Sequence, residues 1–161
     1  MFICMVFEVL PDNMYFPALF SSLSYAKNEI LAVIYHVKYN VKRVNDPAFR
    51  IMRALCDAAK RGVVVKVLLF AGTPHLRLRG INKTAGRFLS ERGVDVRYWR
   101  KGRVLHTKLF VIDWTKAYVG SHNISRAGLS QSAELSVFFS DDAYARRCHE
   151  RFFQLWGEGV A

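Results

Sequence analysis

The sequence predicts an α/β protein, a single domain (1–161) with a mixed β-sheet flanked by helices. Short runs of β-branched and apolar residues alternate with segments of helical period. The last runs follow one another without long helices between them, so some strands must pair antiparallel. A chain of 161 residues suits one domain and can bury a sizeable core.

Phe2–Leu10 reads as the first strand. Phe16, Leu19, Phe20 and Leu23 recur at helical spacing, which predicts a helix over 14–28. Ile30–Val37 is apolar and β-rich, a buried strand. Asp46 is a candidate N-cap, Pro47 suits the first helical position, and Gly62 marks a stop. Between them Ala48, Ile51, Met52, Leu55 and Ala59 share one face. Val63–Phe70 is almost continuously β-branched, as a strand covered on both faces requires. A short helix over about 83–92 precedes a strand at Val94–Trp99. Further strands are expected at 104–112, 117–121 and 134–139. A closing helix from Asp141 to Trp156 should turn Tyr144, Cys148, Phe152 and Leu155 inward.

Composition excludes several classes. With 52% hydrophobic and 14% aromatic residues the chain is no disordered basic tail. Cys4, Cys56 and Cys148 are odd in number and widely spaced, which fits reduced thiols and a reducing, cytoplasmic compartment. The apolar start lacks a basic flank, and Glu8 and Asp12 arrive early, so it reads as a strand and not a signal peptide. No cysteine–histidine cluster has metal-ligand spacing, and no cofactor is expected.

The net charge of +11 points to a polyanion, nucleic acid or an anionic membrane. It is unevenly spread. From Arg77 to Arg103 nine basic residues face only Glu91 and Asp95, a local excess of +7. Arg77, Arg79, Arg100, Lys101 and Arg103 are candidate substrate contacts, since arginine suits bidentate phosphate binding. The plainer interpretation is a solvated basic face. His75, at its edge, reads as an ordinary surface histidine.

The chemistry-bearing segment is His106-Thr-Lys108 through Asp113 to Gly120-Ser121-His-Asn123. On a strand, residues two apart share a face, so the His106 imidazole and the Lys108 ammonium should project together. A second strand returning after Trp114–Lys116 would deliver Gly120, Ser121 and Asn123 to the same end. Gly120 permits close backbone approach, while Ser121 and Asn123 offer hydrogen-bond donors. One nucleophile or base, one fixed cation and neutral donors are what holding and attacking a phosphoryl group requires. With no carboxylate cage for magnesium, the cation role falls to Lys108. Asp113 has the opposite strand parity to His106, which gives it a turn-fixing role.

These residues resemble the phospholipase D superfamily, matching its HxKxxxxDxxxxxxGSxN signature at every defined position. Glu134 falls where that family commonly carries an acidic residue beside its histidine. A single motif in so short a chain is similar to the small endonuclease branch, in which two identical chains share one site. The resemblance implies that His106 forms a phosphohistidine and that the partner's His106 acts as general acid and then base. Glu134 would orient an imidazole; Lys108, Asn123 and Ser121 would bind non-bridging oxygens. The implied substrate is DNA or RNA, in a homodimer and without a metal. The alternatives are a hydrolase or transphosphatidylase acting on anionic lipid, and a nucleic-acid-binding module whose catalysis has lapsed.

The remaining histidines and tryptophans have plainer expectations. His122 alternates away from Ser121 and Asn123, His36 belongs to the core or rim, and His149 should face solvent. Trp99 and Trp156 should pack, with Trp114 the one aromatic placed near the motif turn.

Overall fold

The computed structural model describes residues 6–72 and 76–161. Cys4, His75 and the start of the Phe2–Leu10 prediction lie outside the described residues. The elements run β1 (Val6–Pro11), α1 (Tyr15–Tyr25), β2 (Glu29–Ile34), β3 (Val37–Lys38), α2 (Pro47–Lys60), β4 (Val64–Phe70), α3 (Leu76–Ser90) and β5 (Asp95–Trp99). There follow β6 (Leu109–Ile112), β7 (Lys116–Gly120), β8 (Ile124–Ser125), α4 (Arg126–Ser130), β9 (Leu135–Ser140) and α5 (Asp142–Glu158).

Seven strands form one sheet in the order β1-β9-β7-β6-β2-β4-β5. β2, β4 and β5 are parallel, joined by crossover helices. β6, β7, β9 and β1 continue antiparallel, which makes the sheet mixed. Alternation along the strands divides the core. Ile30, Ala32, Val65, Val67, Phe110 and Ile112 face the layer of α1, α2 and α3. Leu31, Val33, Leu68, Phe70, Leu109 and Val111 face α5 through Phe152, Leu155 and Trp156.

Helix α2 follows its local signals. The Asp46 carboxylate accepts the Phe49 N–H at 2.9 Å, Pro47 opens the helix, and Gly62 turns out of it at φ +90°. Asp141 caps α5 in the same way, through the N–H groups of Ala143 and Tyr144.

Several boundaries differ from expectation. Helix α1 stops at Tyr25, short of residue 28. Helix α3 starts at Leu76 instead of about 83, because Leu78 packs into the α5-side core and Asn82 is fully buried. β6 begins only at Leu109, and 104–108 is extended chain without regular pairing. Tyr144 does not turn inward but is exposed; Ala145 takes the buried place on α5. His149 does not face solvent freely: Nε2 lies 3.1 Å from Glu29 Oε2, and its ring packs on Phe153. Trp99 and Trp156 are buried, and Trp114 is exposed in the β6–β7 turn.

Strand directions bring one set of termini together. The carboxyl ends of β2, β4, β5, β7 and β1 and the amino ends of β6 and β9 share one end of the sheet. Chain segments leaving that end carry the candidate site.

Candidate active site

His106 is presented on a short extended arm fixed at both ends. Buried Leu105 anchors it to the α5-side core. Upstream, the Trp99 indole N–H donates to the Arg103 carbonyl at 2.8 Å. The arm then enters β6 through Lys108. His106 is exposed and Lys108 is 6% exposed, so an accessible imidazole stands over a buried ammonium.

Lys108 Nζ donates to the His106 carbonyl at 2.8 Å and lies 3.2 Å and 3.3 Å from the two ring nitrogens. It also sits 4.8 Å above the Tyr35 ring centroid, a cation–π contact. The Tyr35 ring meets His106 edge-on at 4.5 Å. Burial pushes the Lys108 ammonium below its ordinary range, opposed by the charge of Glu134. Burial, and then the Lys108 charge, push the His106 imidazole down, so His106 favours its neutral form.

Asn82 holds this floor in place. It is fully buried on α3, where its side-chain oxygen accepts the Val37 N–H at 3.0 Å. Its amide donates to the Tyr35 carbonyl at 2.7 Å and the Phe70 carbonyl at 2.8 Å. One side chain thus ties the ends of β2 and β4 together and fixes Tyr35 beneath His106. Sequence reading missed both residues; a lone Asn on a face shared with Ala85 and Leu89 was the available signal.

Ser121 and Glu134 meet directly, the Ser121 hydroxyl donating to the Glu134 carboxylate. Among the described residues Glu134 makes no hydrogen bond to His106; it reaches the site through Ser121 and through its charge on Lys108. Asp12, at φ +49°, pins Glu134 by accepting its N–H at 2.9 Å and donating its own N–H to the Glu134 carbonyl at 3.0 Å. His122 is 1% exposed and bridges Ser136 Oγ at 2.7 Å and the Asp12 carbonyl at 2.8 Å. Its ring stacks on Tyr15 at 4.3 Å, and burial lowers its pKa.

Asn123 begins the turn into β8. Its Oδ1 is buried without a hydrogen-bond partner among the described residues. A buried orphan of this kind is costly unless something else satisfies it. Gly128 packs under the same residue: an added Cβ there would lie 2.7 Å from the Asn123 carbonyl oxygen. Gly120 is crowded too, with a hypothetical Cβ 2.4 Å from Ser136 Cα. Half-buried His36 completes the rim, its carbonyl accepting the Ile124 N–H at 3.1 Å.

Asp113 lies at the opposite end of β6, away from this cluster. Its carboxylate accepts the N–H groups of Lys27, Asn28 and Glu29 at 2.7–3.2 Å and so fixes the entry to β2.

The basic segment divides. Arg77 and Arg79 occupy the first turn of α3, and Arg100, Lys101 and Arg103 follow β5, all toward the His106 end. Arg103 also pairs with Glu158 at 3.4 Å. Arg92 stacks on Phe88 beyond the helix's far end, and Arg97 packs on Trp156 while donating to its carbonyl. Among the described residues no three His, Cys, Asp or Glu side chains gather where a metal ion could be held.

An accessible, neutral-favouring imidazole, a buried cation and a half-buried amide on one sheet end can hold an anionic oxygen and attack the atom that bears it. Comparison with known proteins agrees in kind. Residues 19–156 match the family described as cardiolipin synthase, phospholipase D-like domain, and the chain belongs to this family. Cardiolipin synthase A of Buchnera aphidicola is 25% identical over 135 residues, 84% of this chain but 26% of the relative. The chain therefore spans about a quarter of the length of the curated relatives it matches. In fold it is similar to Nuc, a phospholipase D family member from Salmonella typhimurium, with TM-score 0.81, 22% identity and 96% of both chains covered. NucT from Helicobacter pylori superposes with TM-score 0.77 at 16% identity, over 98% of this chain and 99% of that one.

Proposed function

We propose that this protein is a phosphodiesterase that cleaves nucleic acid through a phosphohistidine. The observation that carries the reading is the exposed, neutral-favouring His106 poised on buried Lys108. A neutral imidazole nitrogen attacks phosphorus and displaces the leaving oxygen. Lys108 and the Asn123 amide stabilise charge on the non-bridging oxygens. Ser121, held by Glu134, lends a further polar contact.

The reaction needs a proton donor for the leaving oxygen, and these 161 residues carry one motif. We assign the donor to His106 of the partner subunit in a homodimer. That imidazolium gives its proton to the leaving oxygen and then, neutral, takes one from water as the water attacks the phosphohistidine. The cycle ends with His106 free and the two protonation states restored. Lys108 supplies the fixed positive charge, so no divalent metal is required. Arg77, Arg79, Arg100, Lys101 and Arg103 favour nucleic acid as the polyanion, in the cytoplasm.

A second reading has its own support: the family description and the curated relatives are cardiolipin synthases, so the same chemistry could act on a phospholipid headgroup. The test incubates labelled DNA, RNA and phosphatidylglycerol with the protein in EDTA, beside His106→Ala. Nucleic-acid cleavage that survives EDTA and disappears in the variant supports the proposal. Turnover of lipid alone, or full nuclease activity in His106→Ala, overturns it.

A further inference from the structure

A groove of about 700 Å³ opens between the β3–α2 loop and α4, lined by Lys42, Arg43, Val44, Asn45, Arg126 and Ser130 among others. Resting on the nucleic-acid reading above, we infer that this groove is a second backbone track, which holds the substrate strand on the Asn123 side of the scissile phosphate.

Charge points that way. Lys42, Arg43 and Arg126 are all exposed, and among the described residues none of them is held in an ion pair. The acidic side chain at the groove, Asp46, is 6% exposed, with its carboxylate engaged by the Phe49 N–H. Three free cations therefore face a cleft whose one carboxylate is turned inward. Asn45 and Ser130 add an amide and a hydroxyl, the mixture that contacts phosphate and sugar without reading sequence.

Position points the same way. β8 begins one residue after Asn123, and Arg126 follows it directly. Three residues of chain span at most about 10 Å. At about 3.4 Å of rise per nucleotide on one strand, that is roughly three phosphates from the site. β3 pairs with β8 so that Lys38 lies opposite Ser125, which carries positive charge along the route. The strand order sets Arg100 and Lys101, after β5, to one side of β2 and the end of β7 to the other, from where the chain returns to pair β8 with β3. A strand crossing the sheet end would thus meet cations before and after His106. Sequence reading singled out only the first side, because Lys42 and Arg126 are 84 positions apart and look unremarkable separately.

The test uses His106→Ala protein, a fluorescent mixed-sequence single strand of DNA, and anisotropy over a range of salt. Lys42→Ala, Arg43→Ala and Arg126→Ala are combined in one variant. A control variant removes Lys60, Arg92 and Arg147 instead, and circular dichroism checks both folds. The groove variant should bind at least about tenfold more weakly at low salt. Its slope of log K against log salt should be shallower by about 2, since each phosphate contact contributes about 0.7. The control should match the parent. If the parent itself binds no DNA, the nucleic-acid reading fails and the groove assignment with it. If the parent binds and the groove variant keeps its affinity and slope, the groove assignment alone is overturned. Equal loss in the control overturns it too, as does loss of binding to phosphatidylglycerol vesicles with DNA binding intact.

Discussion

Lys108 Nζ lies within 3.3 Å of both ring nitrogens of His106. Desolvation of the ring is the larger penalty on the imidazolium and a cation this close adds to it, so His106 titrates below the ordinary 6.5. Replacing the ammonium in Lys108→Met should move the His106 titration up, as read by imidazole NMR. The same variant should lose at least about a hundredfold in cleavage, the scale for removing one preorganised charge-stabilising group. An unmoved His106 titration would contradict the electrostatic coupling.

His122 gives a stability prediction with a definite sign. Its folded pKa lies below the unfolded value, chiefly because it is buried. Below about 6.5 the unfolded chain binds a proton that the folded chain refuses. Stability should therefore fall as pH drops through 6.5 toward the folded value. In His122→Asn, urea midpoints between pH 7.5 and 5 should decline less steeply than in the parent. Parallel declines would show that His122 contributes nothing to that slope.

Asp113 belongs to the motif by spacing but acts at a distance from the site. Asp113→Ala removes a charged acceptor from the N–H groups of Lys27, Asn28 and Glu29. We expect a loss of about 2 kcal/mol in urea denaturation, the scale of hydrogen bonds to a charged group. Cleavage per folded molecule should stay near the parent's. A large fall in activity at unchanged stability would place Asp113 in the chemistry.

Gly120 should tolerate no side chain. The Cβ of Gly120→Ala would overlap Ser136, including its backbone Cα, so the β7–β9 pairing must shift. Overpacking of this kind costs about 1–3 kcal/mol. Because Ser121 and Asn123 follow at once, cleavage should fall as well. A variant with parental melting and activity would show that the close approach is dispensable.

Much of this was legible in the sequence because the deciding signals are local. Asp46, Pro47 and Gly62 bound α2 by backbone chemistry within a few residues. The His106–Asn123 spacing brought its residues to one sheet end because a tight turn fixes the return of β7. What was not legible depends on partners far along the chain. β2 and β7 run only one residue past the partners of Leu109, to Ile34 and Gly120, so pairing stops at Lys108, whose carbonyl accepts the Gly120 N–H at 3.4 Å. The arm carrying His106 is thus freed from the ladder, which a run of apolar residues cannot announce. The early start of α3 was masked by the alternating Leu76-Arg77-Leu78-Arg79, which lacks helical period. Tyr35 under Lys108, Asn82 across two strands and His149 on Glu29 are all long-range meetings with no local mark.

Covalent attachment of His106 to phosphorus can be measured directly. Protein in EDTA is mixed with DNA carrying radioactive phosphate along its backbone, quenched in denaturant within one turnover, and separated from free DNA. Label should appear on the protein, survive alkali, be released by mild acid, map to the peptide containing His106 and be absent in His106→Ala. Cleavage that proceeds with no label on the protein, or label mapping to another residue, would contradict that attachment.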